Sequence, residues 1–158
     1  MDLLPFFQWC YATPMGDGIR NSLWLFPVIE AFHLLGLGLT AGSVLVVDLR
    51  LFGVGLSKRP AAQVWASALP WLLGGVAIMF VTGIPLFLSE SIKCLYSFAF
   101  WIKMSSLLVV LIFTFTVVSR VTQADQPSRQ PLSGRMTAII SLLLWFGVAW
   151  GGRWIGFS

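Results

Sequence analysis

Four long apolar runs, near residues 23–47, 65–88, 98–118 and 136–155, take up most of this 158-residue chain, with short polar links between them. About 20 apolar residues in a helix cross the hydrocarbon core of a bilayer. Backbone groups in lipid must find hydrogen bonds within their own segment, so runs of this length read as helices. The expected fold is all-α: an integral membrane four-helix bundle, one transmembrane domain over residues 1–158. With 58% hydrophobic and 10% charged residues and a mean hydropathy of +0.87, the chain lies far from soluble domains, in which about a quarter of residues are charged. The net charge of +4 is scattered and forms no basic stripe, which excludes nucleic acid as the expected partner.

Ahead of the first run, MDLLPFFQWC lacks the positive start of a signal peptide, so it reads as retained. Its apolar and aromatic residues point to a short interfacial segment on the membrane surface, followed by a turn over residues 14–18. Cys10 and Cys94 have no CxxC spacing, which argues against a metal or redox motif; a disulfide is conceivable if both lie outside. Walker, HExxH and nucleophile-elbow motifs are absent, so soluble-style catalysis is not expected.

The first span carries the chain's single histidine. Glu30 and His33 sit in its outer part, Asp48 and Arg50 at its other end, and Gly38 and Gly42 between them. Ionisable groups in a span are costly in lipid and turn toward protein or water. Eighteen residues separate Glu30 from Asp48, which returns to one helical face about 27 Å away. Gly38 and Gly42 form a small-xxx-small pair suited to close approach of another helix. Lys and Arg near the span ends number six on one side and four on the other, so the first and third loops are expected inside and both termini outside, in a bacterial inner (cytoplasmic) membrane. That topology brings Glu30, His33, Lys103 and Arg153 to one depth as an outer polar cluster. Asp48, Arg50, Arg120 and Arg135 form an inner one. The short link over residues 89–97 makes spans two and three expected neighbours, and Pro85 an expected kink.

Three roles fit these residues. The leading one is a non-catalytic membrane subunit or anchor, as a homo-oligomer or with other membrane or periplasmic subunits, for example in a respiratory or periplasmic redox complex. A second is electron transfer with haem b or quinone at His33 and Glu30, with Met79, Met104 or a second copy's histidine as the other axial ligand. A third is proton, ion or metal transport along the first helix. Glu30-x-x-His33 has the spacing of a di-iron site, but the chain offers no second such motif, so no metal site is expected.

The stretches ATPMGDGIRNSLWLFPVIEAFHLLGLGLTAGSVLVVDLRLFG, ALPWLLGGVAIMFVTGIPLFLSES, AFWIKM and SLLLWFGVAWGGRWIGF resemble an uncharacterised bacterial family of four-span membrane proteins, a domain of unknown function. The resemblance covers nearly the whole chain and implies fold and membrane location. It marks Glu30, His33, Gly42, Asp48, Arg50, Pro70, Trp71, Gly83, Lys103, Trp145, Arg153 and Trp154 as recurring positions. It also implies a histidine in relatives near the position of Ser119. A looser likeness to four-helix cytochrome b and copper-resistance membrane proteins is one of fold.

Overall fold

The structure, a computed structural model, describes residues 3–54, 56, 58–124 and 132–155, and the regular structure among them is helical. In chain order come α1 (Leu4–Tyr11), α2 (Pro14–Arg20), α3 (Leu25–Phe52), α4 (Ala61–Tyr96), α5 (Phe98–Phe113), a π-helical turn (Thr114–Val118), α6 (Ser119–Ala124) and α7 (Leu132–Ile155). α3, α4, the continuous helix Phe98–Ala124 and α7 are each long and apolar enough to cross a membrane. This is a multi-pass membrane protein.

Helix seams are legible in the buried residues. Along α4 these are Ala61, Trp65, Ala68, Leu72, Gly75 and Met79; along α7 they are Gly134, Ala138, Ser141, Trp145 and Val148. Steps alternating between four and three residues keep one edge of a helix facing its neighbour. α3 packs along both α4 and α7, and α5 packs along α7. Consecutive α4 and α5 hardly touch, against the neighbours expected from their short link; the third span meets α4 through α6 instead. Chain order and spatial order part here because the turn at Ser97 is extended and lets the two helices diverge.

Beyond Ala99, burial in the third span falls at Val110, Thr114, Val118 and Thr122. Steps of four residues overshoot a 3.6-residue turn by about 40° each. The wider π turn absorbs that drift, so all four side chains stay inward.

Helix ends differ from the sequence expectation. α3 runs on past Val47, and Asp48 and Arg50 lie within it. Gly53, at φ 87°, ends it: its N–H donates to the Arg50 carbonyl, and that of Val54 to Leu49, a Schellman closure that only a residue tolerant of the left-handed region makes cheaply. α4 extends through the expected link to Tyr96, and its irregular residue is Glu90 (φ −122°, ψ 22°) rather than Pro85. The expected turn over residues 14–18 is instead helix α2. Thr13 caps it, accepting from the Gly16 N–H at 3.2 Å, with Pro14 preset in the first turn. Residues 125–131, the middle of the expected polar loop, lie outside the described residues.

α1 and α2 form a strap across the end of α4. Phe7 is buried edge-on against Phe87, ring centroids 5.5 Å apart, and its carbonyl accepts from Ser91 Oγ at 3.0 Å. Arg20 stacks over Tyr11 and donates to the carbonyls of Tyr11, Leu88 and Ser89. The last two immediately precede the irregular Glu90, where a distorted helix leaves carbonyls open to outside donors. Cys10 and Cys94 are buried free thiols rather than a disulfide. Burial pushes the Cys10 thiol above its ordinary range, opposed in part by a backbone hydrogen bond.

Candidate functional site

Two polar centres lie at opposite ends of α3. Nearer its N-terminal end, His33 Nδ1 is 2.9 Å from Thr82 Oγ1 on α4. The Thr82 hydroxyl donates to the Ile78 carbonyl at 2.6 Å, which leaves its oxygen as the acceptor. The proton of neutral His33 therefore sits on Nδ1, and Nε2 is left with a lone pair. Gly83 flanks the ring, and a Cβ there would come within 3.3 Å of it. Across the bundle on α5, Lys103 lies within electrostatic reach of His33. Its stem runs through the space left by Gly151 and Gly152 of α7: a Cβ on Gly151 would stand 3.0 Å from Lys103 Cβ, and one on Gly152 3.6 Å from Nζ.

Of the expected outer cluster, His33 has Lys103 within electrostatic reach, and no hydrogen bond joins the two among the described residues. Glu30 does not join them: it is exposed and makes no hydrogen bond or ion pair among the described residues. Arg153 follows Gly152 and is exposed at the end of α7. The i, i+3 spacing puts Glu30 near His33 along α3, but the inward face begins beyond Glu30.

The second centre surrounds Asp48, whose side chain belongs to a residue only 1% exposed. It lines a small cavity with Ser43 of α3, Trp65 of α4, Thr114 of the π turn and Ser141 of α7. Ser141 is its polar neighbour, yet neither carboxylate oxygen has a hydrogen bond of sound geometry among the described residues. Thr114 Oγ1 and Trp145 Nε1 are likewise buried without a partner there.

The expected inner cluster is thus divided. Arg50 is buried too, but on another side of α3, where its Nε donates to the Arg59 carbonyl at 2.6 Å. Arg120 and Arg135 are exposed. Two positions apart on a helix point about 200° from each other, so Asp48 and Arg50 cannot share a face.

Gly38 and Gly42 are exposed, and a Cβ on either meets nothing within 4 Å. The close approach within the chain is made by different small residues. A Cβ on Gly75 would collide with Thr40 Oγ1 and lie 2.8 Å from the Gly36 carbonyl, while one on Gly36 would lie 2.9 Å from Ile78 Cγ2. Gly38 and Gly42 instead line an open groove of ≈ 460 Å³ between α3 and α4, with Ala68 and Trp71 along it and Arg59 and Gln63 at one end.

Sequence reasoning passed over Thr82, Thr114, Ser141 and Gly75. Each is a small or hydroxyl residue inside an apolar run, and a serine or threonine there hydrogen-bonds its own helix readily enough to hide any other role. The signal that could have found Ser141 is its place on the Gly134, Ala138, Trp145 edge of α7.

Among the described residues, no group of three or more His, Cys, Asp and Glu side chains could hold a metal ion. A family model described as a family of unknown function (DUF6644) matches residues 6–158. No curated protein and no solved structure matches the chain.

Proposed function

The chain belongs to that family (DUF6644), and with its membrane fold as the premise we propose that it is a non-catalytic membrane subunit that works by holding a partner's transmembrane helix. The observation that carries this reading is the α3–α4 groove. Gly38 and Gly42 open it to the outside, and the chain's own packing uses Gly36, Thr40 and Gly75 instead. In lipid, helices associate by close packing rather than by a hydrophobic drive, so a row of absent side chains on an exterior face suits a neighbouring backbone. The occupant is a helix of another subunit or of a second copy. Purification in mild detergent with native mass spectrometry tests this. A stoichiometric partner or a dimer is expected, lost in Gly38→Leu and Gly42→Leu variants whose thermal stability is unchanged. A solitary chain unaffected by both substitutions would reject it.

His33 favours a redox setting for that assembly. Its Nε2 lone pair is the kind of group that ligates haem iron, and the second ligand would come from a partner. A Soret band in the purified assembly, abolished by His33→Ala, is the expected sign; a preparation with its partner present and no such band refutes the haem reading and leaves the subunit role standing.

A further inference from the structure

We propose that Asp48, Thr114, Ser141 and Ser43 form a binding site for one monovalent hard cation, taken up either as a proton on Asp48 or as a single Na⁺ among these oxygens. Four observations converge. Asp48 is 1% exposed, and apart from its neighbour Ser141 no group among the described residues approaches its carboxylate as a partner, neither oxygen making a hydrogen bond of sound geometry. It lines a cavity of ≈ 10 Å³, measured as the space open to the centre of a water-sized sphere. That is room for about one water-sized occupant. Thr114 Oγ1, on the same cavity, is a second buried oxygen without a partner. The Ser43 hydroxyl donates to the Leu39 carbonyl at 2.8 Å, which leaves its oxygen lone pairs for a cation.

Charge and size narrow the occupant. A bare carboxylate is not sustained away from water, so Asp48 is neutralised in place. Among the described residues, Asp48 is the only charged one lining the cavity. The charged groups toward this end of the bundle lie elsewhere: Arg50 turns to the Arg59 carbonyl, while Arg59, Arg120 and Arg135 are exposed. One positive charge balances one carboxylate, whereas a divalent ion would leave a buried excess. Oxygen donors suit hard cations. The space excludes a hydrated ion, an organic cation or a haem.

The π turn supplies the geometry. It begins at Thr114, and in a regular α-helix the four-residue steps from Val110 to Thr122 would swing these side chains progressively off the interior. Such turns occur frequently at functional sites. Trp145, one turn beyond Ser141 on the same edge of α7, carries a further buried polar group, its indole N–H, without a partner among the described residues.

The test uses the full-length protein in lipid nanodiscs, with infrared spectroscopy and thermal unfolding in NaCl or N-methylglucamine chloride across pH. Without Na⁺, the wild type should show a protonated-carboxyl stretch that Asp48→Asn removes. If Na⁺ competes, NaCl should abolish that band and raise the unfolding midpoint at alkaline pH. Thr114→Val and Ser141→Ala should then raise the half-saturating Na⁺ concentration about tenfold each. If only a proton binds, the band should titrate with pH and ignore Na⁺. Both outcomes support the site and separate its two occupants. Should Asp48→Asn fail to fold, the wild-type band and its response decide alone. A wild type with no such band, whose stability answers to neither Na⁺ nor pH, overturns the proposal.

Discussion

Glycines that look alike in the sequence do opposite things. Gly75 meets Thr40 and the Gly36 backbone, which cannot retreat, so Gly75→Ala is expected to destabilise the bundle by about 1–3 kcal/mol. Gly38→Ala and Gly42→Ala, with open space beyond each, should leave the unfolding midpoint unmoved. A reversal of that order in thermal denaturation would contradict the packing described. Glu30→Leu belongs with the tolerated changes: the side chain is exposed and bonded to nothing among the described residues, so its effect should stay within about 0.5 kcal/mol. Cys10 tests the strap chemically. Its burial and raised thiol titration keep thiolate scarce, so maleimide labelling at neutral pH should be slower than for a free cysteine and should speed up as pH rises. Labelling at the free-thiol rate in folded protein would place Cys10 outside the core.

At the scale of the element, Arg20 ties α1 and α2 to the broken end of α4 by three carbonyls and an aromatic face. Arg20→Ala should weaken this strap by about 1–3 kcal/mol, since Leu88 and Ser89 carbonyls lose their donor where the helix no longer satisfies them. Hydrogen exchange should then rise across residues 4–20 and near Glu90, with α3 and α7 unaffected. Exchange spread over the whole bundle would mean that the strap and the spans unfold as one unit. The break itself was mislocated from sequence: Pro85 is the local signal, whereas the irregularity falls at Glu90, beside Arg20 and the α1 contacts. A proline removes a hydrogen bond where it stands, but where a long helix bends also depends on what packs against it.

For the whole molecule, four spans put both termini on one side, and from the charge bias we propose that this side is the outside. Reporter fusions at either terminus should be active outside the cell membrane, and a fusion in the loop after α3 should be active inside; the reverse would overturn the assignment. The membrane fold was legible because lipid leaves a chain little choice: long apolar runs must be helices, though the end of the first was not, since α3 runs past the expected Val47 to a stop at Gly53. Sequence alone also singled out His33, Lys103 and Asp48 as groups that lipid cannot host. It could not say which of them meet. Lys103 comes within electrostatic reach of His33 from a different helix, packed on α7, and Asp48 is isolated from Arg50 by two positions of helix rotation. Nor could it reveal the oxygens around Asp48, which come from three separate spans and are aligned by a π turn with no compositional mark. Hydrophobicity and helix period are properties of one segment at a time, and they fixed the spans; the order in which the helices pack and the rotation of each about its axis are decided among segments, and these made the sites.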